Sequence, residues 1–221
     1  ITEWYKEKIM SMNIKTFVLG ELQTNCYLAY DEKTKEGIII DPADEANFIS
    51  EQVLRLGVKP TAIVATHGHF DHILAAGELQ MLLNIPFYIH PADEFLLKEM
   101  NSSASFWLKN KFNYPLPRAI KFIKKEFSIK FGGCRLKVIE TPGHTPGSVC
   151  FLSEDVIFSG DTLFKNGVGR TDFSYSDKTQ LEKSLEKIFR LPAGRHGLPA
   201  ETIIYSGHGE ETTIKDEKIH K

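Results

Sequence analysis

Apolar positions along the chain repeat with two different periods. "CYLAY" (26–30) and "GIIID" (37–41) are short apolar runs divided by a charged turn, and they predict a hairpin. In "DEANFISEQVLRLG" (44–57), Ile49, Val53 and Leu56 are spaced as one helix face, and Gly57 supplies the stop. The alternation continues with a strand at "TAIVAT" (61–66), a helix at "ILAAGELQMLLN" (73–84) and a strand at "PFYIH" (86–90). Pro91 then opens a helix in "PADEFLLKEM" (91–100). Beyond residue 130, "RLKVIE", "SVCFL" and "DVIFSG" predict three strands separated by glycine and proline. "DKTQLEKSLEKIFR" (177–190) places Leu181, Leu185, Ile188 and Phe189 on one helix face, and "ETIIYSG" (201–207) is the last strand. Strands and helices mixed along the whole length predict an α/β or α+β layered fold. No linker or low-complexity tract divides residues 1–221, so one domain is expected, with about residues 1–11 as a leader or tail.

Composition narrows the function without naming it. A hydrophobic content of 42% and a charged content of 25% are ordinary for a packed domain. The net charge of -2 argues against a nucleic-acid binder. No apolar run approaches the roughly 20 residues of a membrane span. Three cysteines without CxxC spacing, and an N-terminal stretch without a signal-peptide apolar region, point to the cytoplasm. Cys150, inside "SVCFL", is expected to be buried packing. Two stretches stand apart. Residues 101–130 carry seven Lys/Arg against the single acid Glu126, interleaved with aromatics, and read either as a roof over a site or as a solvated face. Residues 191–200, "LPAGRHGLPA", look like a small duplication in a loop.

The polar residues then fall into a pattern. His67 follows the strand "TAIVAT", His144 follows "LKVIETPG", Asp161 follows "DVIFSG" and His208 follows "TIIYSG". Strand C-terminal ends are where layered α/β sheets present ligands. In three of the four cases glycine comes immediately before: Gly143, Gly160 and Gly207. Counting donors, His67, His69 and His144 would give one divalent metal three nitrogens. Asp71, His72 and His208 would give a second metal two nitrogens and an oxygen, leaving Asp161 to bridge. Two metals about 3.5–4 Å apart can hold a hydroxide between them and bring its pKa near neutrality.

Together, "THGHFDH" (66–72), "TPGHTPGS" (141–148), "SGDTLF" (159–164) and "YSGHGEET" (205–212) resemble the metallo-β-lactamase superfamily, in order and spacing, from about Asn13 to Thr213. The nearest branch is the short glyoxalase II-like (hydroxyacylglutathione hydrolase-like) enzymes. The resemblance implies an αββα sandwich with a dinuclear site along one edge, its ligands the seven residues counted above. It implies hydrolysis of a small-molecule thioester, such as a glutathione conjugate, by a hydroxide held between the metals at Asp161, with Asp71 passing a proton onward. Zinc is the favoured metal over iron or manganese. In the related enzymes the basic residue of the segment "NGVGRTDF" faces the thiol half of the substrate, making Arg170 a substrate contact, against a structural Arg170–Asp172 pair. Asp41 reads either as a partner orienting a ligand histidine or as a helix N-terminal acid. His90, His196 and His220 are read as non-ligands. The rivals are a persulfide dioxygenase holding one iron on His67, His144 and Asp161, and a lactonase on the same core. Ser206 stands where proline is common, and "LPAGRHGLPAET" is longer than the usual link. The chain ends soon after Thr213, so the helical domain that helps bind glutathione in full-length glyoxalase II is expected to be missing.

Overall fold

A computed structural model describes residues 12–124, 126–153, 155–191 and 198–219, so residues 1–11, His196, His220 and most of the 191–200 loop lie outside the described residues. The first half contains strands β1 (Met12–Leu19), β2 (Thr24–Asp31) and β3 (Glu36–Ile40), helix α1 (Ala46–Leu56), strand β4 (Lys59–Val64), and helices α2 (Phe70–Ile73) and α3 (Ala76–Leu83). Strand β5 (Phe87–Ile89), a 3₁₀ turn (Pro91–Asp93), helices α4 (Glu94–Lys98) and α5 (Met100–Leu108), and strand β6 (Ile120–Phe122) follow. The second half contains β7 (Ser128–Phe131), β8 (Cys134–Glu140), β9 (Val149–Leu152), β10 (Val156–Gly160), a small ribbon of β11 (Leu163–Phe164) with β12 (Gly167–Val168), helix α6 (Lys178–Arg190), β13 (Ile203–Ser206), β14 (Thr212–Thr213) and α7 (Ile214–Ile219). Two six-stranded sheets result, in the orders β1-β2-β3-β4-β5-β6 and β14-β13-β10-β9-β8-β7.

The period-2 alternation of strand side chains sorts these sheets into four layers. On β2, Cys26, Leu28 and Tyr30 face the core beneath α1, α3 and α5, while Tyr27 and Ala29 face the opposite sheet. On the second sheet, Val149, Phe151, Val156 and Phe158 meet the first sheet, whereas Cys150 and Ile157 pack under Leu181, Leu185 and Ile188 of α6. Both sheets are therefore covered on both faces, which explains why their strands read as nearly continuous apolar runs. The architecture is the αββα sandwich.

Several elements differ from the sequence pattern. Strand β1 has no clean alternation because only Leu19 of its eight residues is buried; full-length antiparallel pairing with β2 makes it a strand. The helix expected at 73–84 is two helices, the first beginning inside the histidine motif with His69 at its N-cap. The helix expected at 91–100 divides into the 3₁₀ turn, α4 and the start of α5. Residues 101–130 hold most of α5 together with β6 and part of β7.

One edge gathers the loops. β8 and β9 are antiparallel, β9 and β10 are antiparallel, and β10 and β13 are parallel, so β8, β10 and β13 all end on the same side. The loop after β4 joins them there, where Val149 N–H donates to the Thr66 carbonyl across the two sheets (2.8 Å). Among the described residues no helix is long and apolar enough to cross a membrane.

Candidate metal centre

Folding brings all seven sequence-predicted residues together at that edge. His67 Nε2 and His144 Nε2 each lie 3.0 Å from His69 Nδ1. Nitrogens at about 2.0–2.1 Å from one tetrahedral cation are about 3.3 Å apart, so the spacing suits a shared ion. Beside this triad, His208 Nε2 is 3.3 Å and His72 Nε2 3.7 Å from Asp71 Oδ2. Asp161 lies between the groups: Oδ1 is 3.3 Å from His72 Nε2, and Oδ2 is 3.5 Å from His144 Nε2 and 3.8 Å from His208 Nε2.

Outer partners decide which nitrogen of each ring carries the proton. His144 Nδ1 meets the Arg170 carbonyl (2.8 Å) and His208 Nδ1 the Leu22 carbonyl (3.2 Å); a carbonyl only accepts, so both Nδ1 atoms are protonated. His72 Nδ1 donates to Asp41 Oδ2 at 3.0 Å. Thr66 Oγ1 already donates to Asp41 Oδ2, so it accepts from His67 Nδ1. His69 Nε2 lies 2.9 Å from the Tyr175 hydroxyl, leaving Nδ1 to face the triad. With the outer nitrogens so occupied, the inner nitrogen of each of the five rings and two carboxylates converge on one centre. His72 Nε2 and Asp161 Oδ1 are buried without a hydrogen-bond partner. Cations at the centre of these donors would satisfy them all, and in that sense the donor set fits two metal ions.

Electrostatics divides the rings. Burial, then the neighbouring His72 and His69, holds His67 well below the usual imidazole range. Burial and His144 bring His69 down to about 3. Burial opposes charge on His72 too, but Asp161 and Asp71 override it and push it well above the ordinary value. His208 is raised in the same manner, against burial, by Asp71 and Asp161. Burial would raise Asp71 and Asp161, yet His72 above all holds both below the ordinary carboxylate range.

Close approach explains two of the preceding glycines. A Cβ on Gly207 would collide with Asp161 Oδ1 and sit 2.7 Å from His72 Cε1. Gly160, at φ +50°, lies against the Thr66 side chain. Asp41 also sits at positive φ, with its carboxylate on Thr66 and His72, while α1 begins at Ala46. Of its two readings, the contact with the histidine is the one formed.

Sequence reasoning missed other residues here. Buried Asp93 accepts from Gly68 N–H (2.8 Å) and Thr145 Oγ1 (2.7 Å) on Oδ2, and from Gly147 N–H (2.6 Å) on Oδ1. It ties the loop of His67 and His69 to the loop of His144. Thr24 Oγ1 donates to Asp71 Oδ2 at 3.0 Å. A cavity of about 420 Å³ opens over the cluster, and Leu22, Phe70, Leu96, Trp107, Phe173 and Tyr175 supply its apolar wall. Arg170 also lines it, and the alternative pair is formed as well, with Arg170 Nε and Nη2 each 2.6 Å from Asp172. From residues 101–130, Ser103 and Trp107 reach the cavity, and none of that segment's described lysines does. His90 caps the 3₁₀ turn by accepting from Ala92 N–H. The three cysteines are buried and unpaired, and burial pushes the Cys134 and Cys150 thiols up to about 11, unsuited to nucleophilic attack.

Comparison with known proteins agrees with this geometry. The family profile described as Metallo-beta-lactamase superfamily matches residues 19–208. Hydroxyacylglutathione hydrolase GloC of Haemophilus influenzae is 33% identical, with 94% of this chain and 95% of that protein aligned. Among solved structures, BLEG-1 B3 metallo-beta-lactamase superposes with a TM-score of 0.80 at 35% identity, covering 94% of this chain and 97% of that one. TTHA1623 in a di-iron-bound form gives a TM-score of 0.80 at 34% identity, covering 92% and 96%.

Proposed function

Because this chain belongs to the metallo-beta-lactamase superfamily, we propose that it is a metal-dependent hydrolase acting on small thioesters, in the manner of a glyoxalase II-like enzyme. The observation that carries the reading is the convergence of five imidazole nitrogens and two carboxylates beneath an apolar cavity. Similarity to the GloC hydrolase over nearly the full length supports the thioester. His67, His69 and His144 would hold one divalent ion, Asp71, His72 and His208 a second, and Asp161 would face both. Such ions supply an activated water near neutral pH and polarise a carbonyl oxygen.

The protein's own groups do the rest. Asp41, the Arg170 and Leu22 carbonyls and Tyr175 keep the imidazoles in one tautomer and one orientation. Asp71, which accepts a hydrogen bond from Thr24, would take a proton from water. The apolar wall keeps bulk water from the reacting carbonyl, and Arg170 borders the substrate. Hydrolysis adds the hydroxyl of water to the acyl carbon and its hydrogen to sulfur. A thiol of pKa about 8.5 leaves without a dedicated acid, and both cavity acids belong to the cluster.

Metal analysis combined with a thioester, lactone and persulfide panel tests the reading. Two metals per chain and thiol release from S-lactoylglutathione or a simpler thioester are expected; a metal-loaded protein releasing no thiol overturns it. Similarity to a protein in a di-iron-bound form keeps iron among the candidate metals, and the second reading is a dioxygenase with one iron on His67, His144 and Asp161. One iron per chain with rapid oxygen uptake on glutathione persulfide would establish that alternative.

A further inference from the structure

The cavity wall carries information about the substrate beyond the scissile bond. Phe173 packs directly on the cluster, with ring centroids 5.1 Å from His69 and 6.1 Å from His144. Tyr175 stacks on Phe173 at 5.3 Å and 11°, and Trp107 meets Phe173 edge-on at 6.5 Å. Trp107 is 48% exposed, so a large apolar ring is left uncovered at the cavity mouth. An aromatic ring lining an apolar cavity offers a bound molecule a face to pack on.

Charge complementarity points the same way. A glutathione thioester brings two carboxylates and an ammonium. Among the described residues Arg170 is the only lysine or arginine lining the cavity, and Asp172 engages it through two hydrogen bonds. Its guanidinium plane is also occupied, 4.5 Å from the Phe173 ring and 5.7 Å from that of Trp107. Away from the metal cluster, desolvating two carboxylates beside Asp172, with no unpaired cationic side chain among the described residues lining the cavity, is unfavourable. An uncharged aromatic ring loses nothing there and gains edge and stacking contacts with three rings.

We infer that this cavity selects thioesters carrying an uncharged aromatic group within a few atoms of the scissile carbonyl, in preference to glutathione thioesters. The inference rests on the thioesterase reading for its chemistry. The reaction remains hydrolysis, thioester plus water giving carboxylic acid plus thiol.

A panel of four substrates on the metal-loaded protein tests it: acetyl and phenylacetyl thioesters of N-acetylcysteamine, S-benzyl thioacetate, and S-lactoylglutathione. At the usual value of buried apolar area, one ring raises kcat/KM roughly 10–100-fold over the acetyl N-acetylcysteamine ester. The phenylacetyl and S-benzyl arms report whether the ring belongs to the acyl or the thiol side; either one leading supports the inference. Trp107→Ala is expected to cut the aromatic-to-acetyl ratio about tenfold, and Trp107→Phe to restore most of it. Independently of activity, the phenylacetyl ester should quench the tryptophan emission of chelator-treated protein, and Trp107→Phe should abolish that quenching. S-lactoylglutathione turned over as well as either aromatic ester would overturn the inference and leave the thioesterase reading intact. Saturable quenching with no hydrolysis of any ester would instead overturn the thioesterase reading and leave the aromatic site standing.

Discussion

Removing one buried carboxylate remote from the metal ligands in sequence should disturb the metal centre. Asp93 is fully buried and accepts from Gly68, Gly147 and Thr145, all donors on the two loops that carry His67, His69 and His144. Burial pushes its carboxyl up, and those three donors pull against the rise. The loops approach so closely that a Cβ on Gly147 would stand 2.6 Å from Asp93 Cγ. In Asp93→Ala both N–H groups lose their partner in the interior. At about 1–3 kcal/mol for each stranded donor, the loss is about 2–6 kcal/mol. In a chain of this size each kcal/mol corresponds to about 2–4 °C, so Tm should fall by roughly 10 °C. Asp93→Asn keeps one oxygen for Gly68 and Thr145 but turns an amide toward Gly147 N–H, and should lose about half as much. Thermal unfolding by circular dichroism, with metal content measured on the same samples, checks both. Since the tethered loops carry the three-histidine group, metal per chain should fall along with Tm. A Tm shift within 2 °C, about half the smallest expected shift, with unchanged metal content would refute the tether.

Other outcomes follow from the same geometry. His69→Ala removes the nitrogen that both His67 and His144 face, so bound metal and hydrolysis should be lost together; activity persisting without metal would contradict the proposed centre. Gly207→Ala drives a methyl group into Asp161 and His72, and should reduce metal content at least tenfold while far-ultraviolet circular dichroism stays native; full metal loading would refute the contact. Chelator-treated protein should be most stable near pH 6.5. Below that value the unfolded chain takes up protons that the depressed His67 and His69 refuse, so stability falls with acid, and the depressed Asp71 and Asp161 add to the loss below 3.8. Above 6.5 the unfolded chain has released protons that the raised His72 and His208 still hold, so stability falls with alkali. Bound metal replaces those protons and should remove the alkaline fall; a flat Tm profile from pH 5 to 8 without metal would refute the argument.

What was legible in the sequence was whatever is local or repeats. Short continuous apolar runs marked β2, β3, β4, β9, β10 and β13, because strands buried on both faces are apolar throughout. Leu181, Leu185 and Ile188 marked α6 by helical spacing. The histidines and aspartates announced themselves because their chemistry is rare and they sit at strand ends, next to glycines that permit close approach. β1 was not legible: it is an exposed strand whose conformation comes from pairing with β2 rather than from its own pattern. Nor were Asp93, Thr24 and Tyr175, whose partners lie 25 to 106 residues away. An aspartate after a proline turn and a tyrosine in a loop have the same local signature whether or not a histidine loop folds against them. Arg170 shows the limit most plainly. Its basic charge and its pairing with Asp172 were readable, but its seat against Trp107 exists only once a distant segment closes over the cavity. Donor identity is a property of residues, whereas orientation, protonation and what a cavity accepts are properties of their packing.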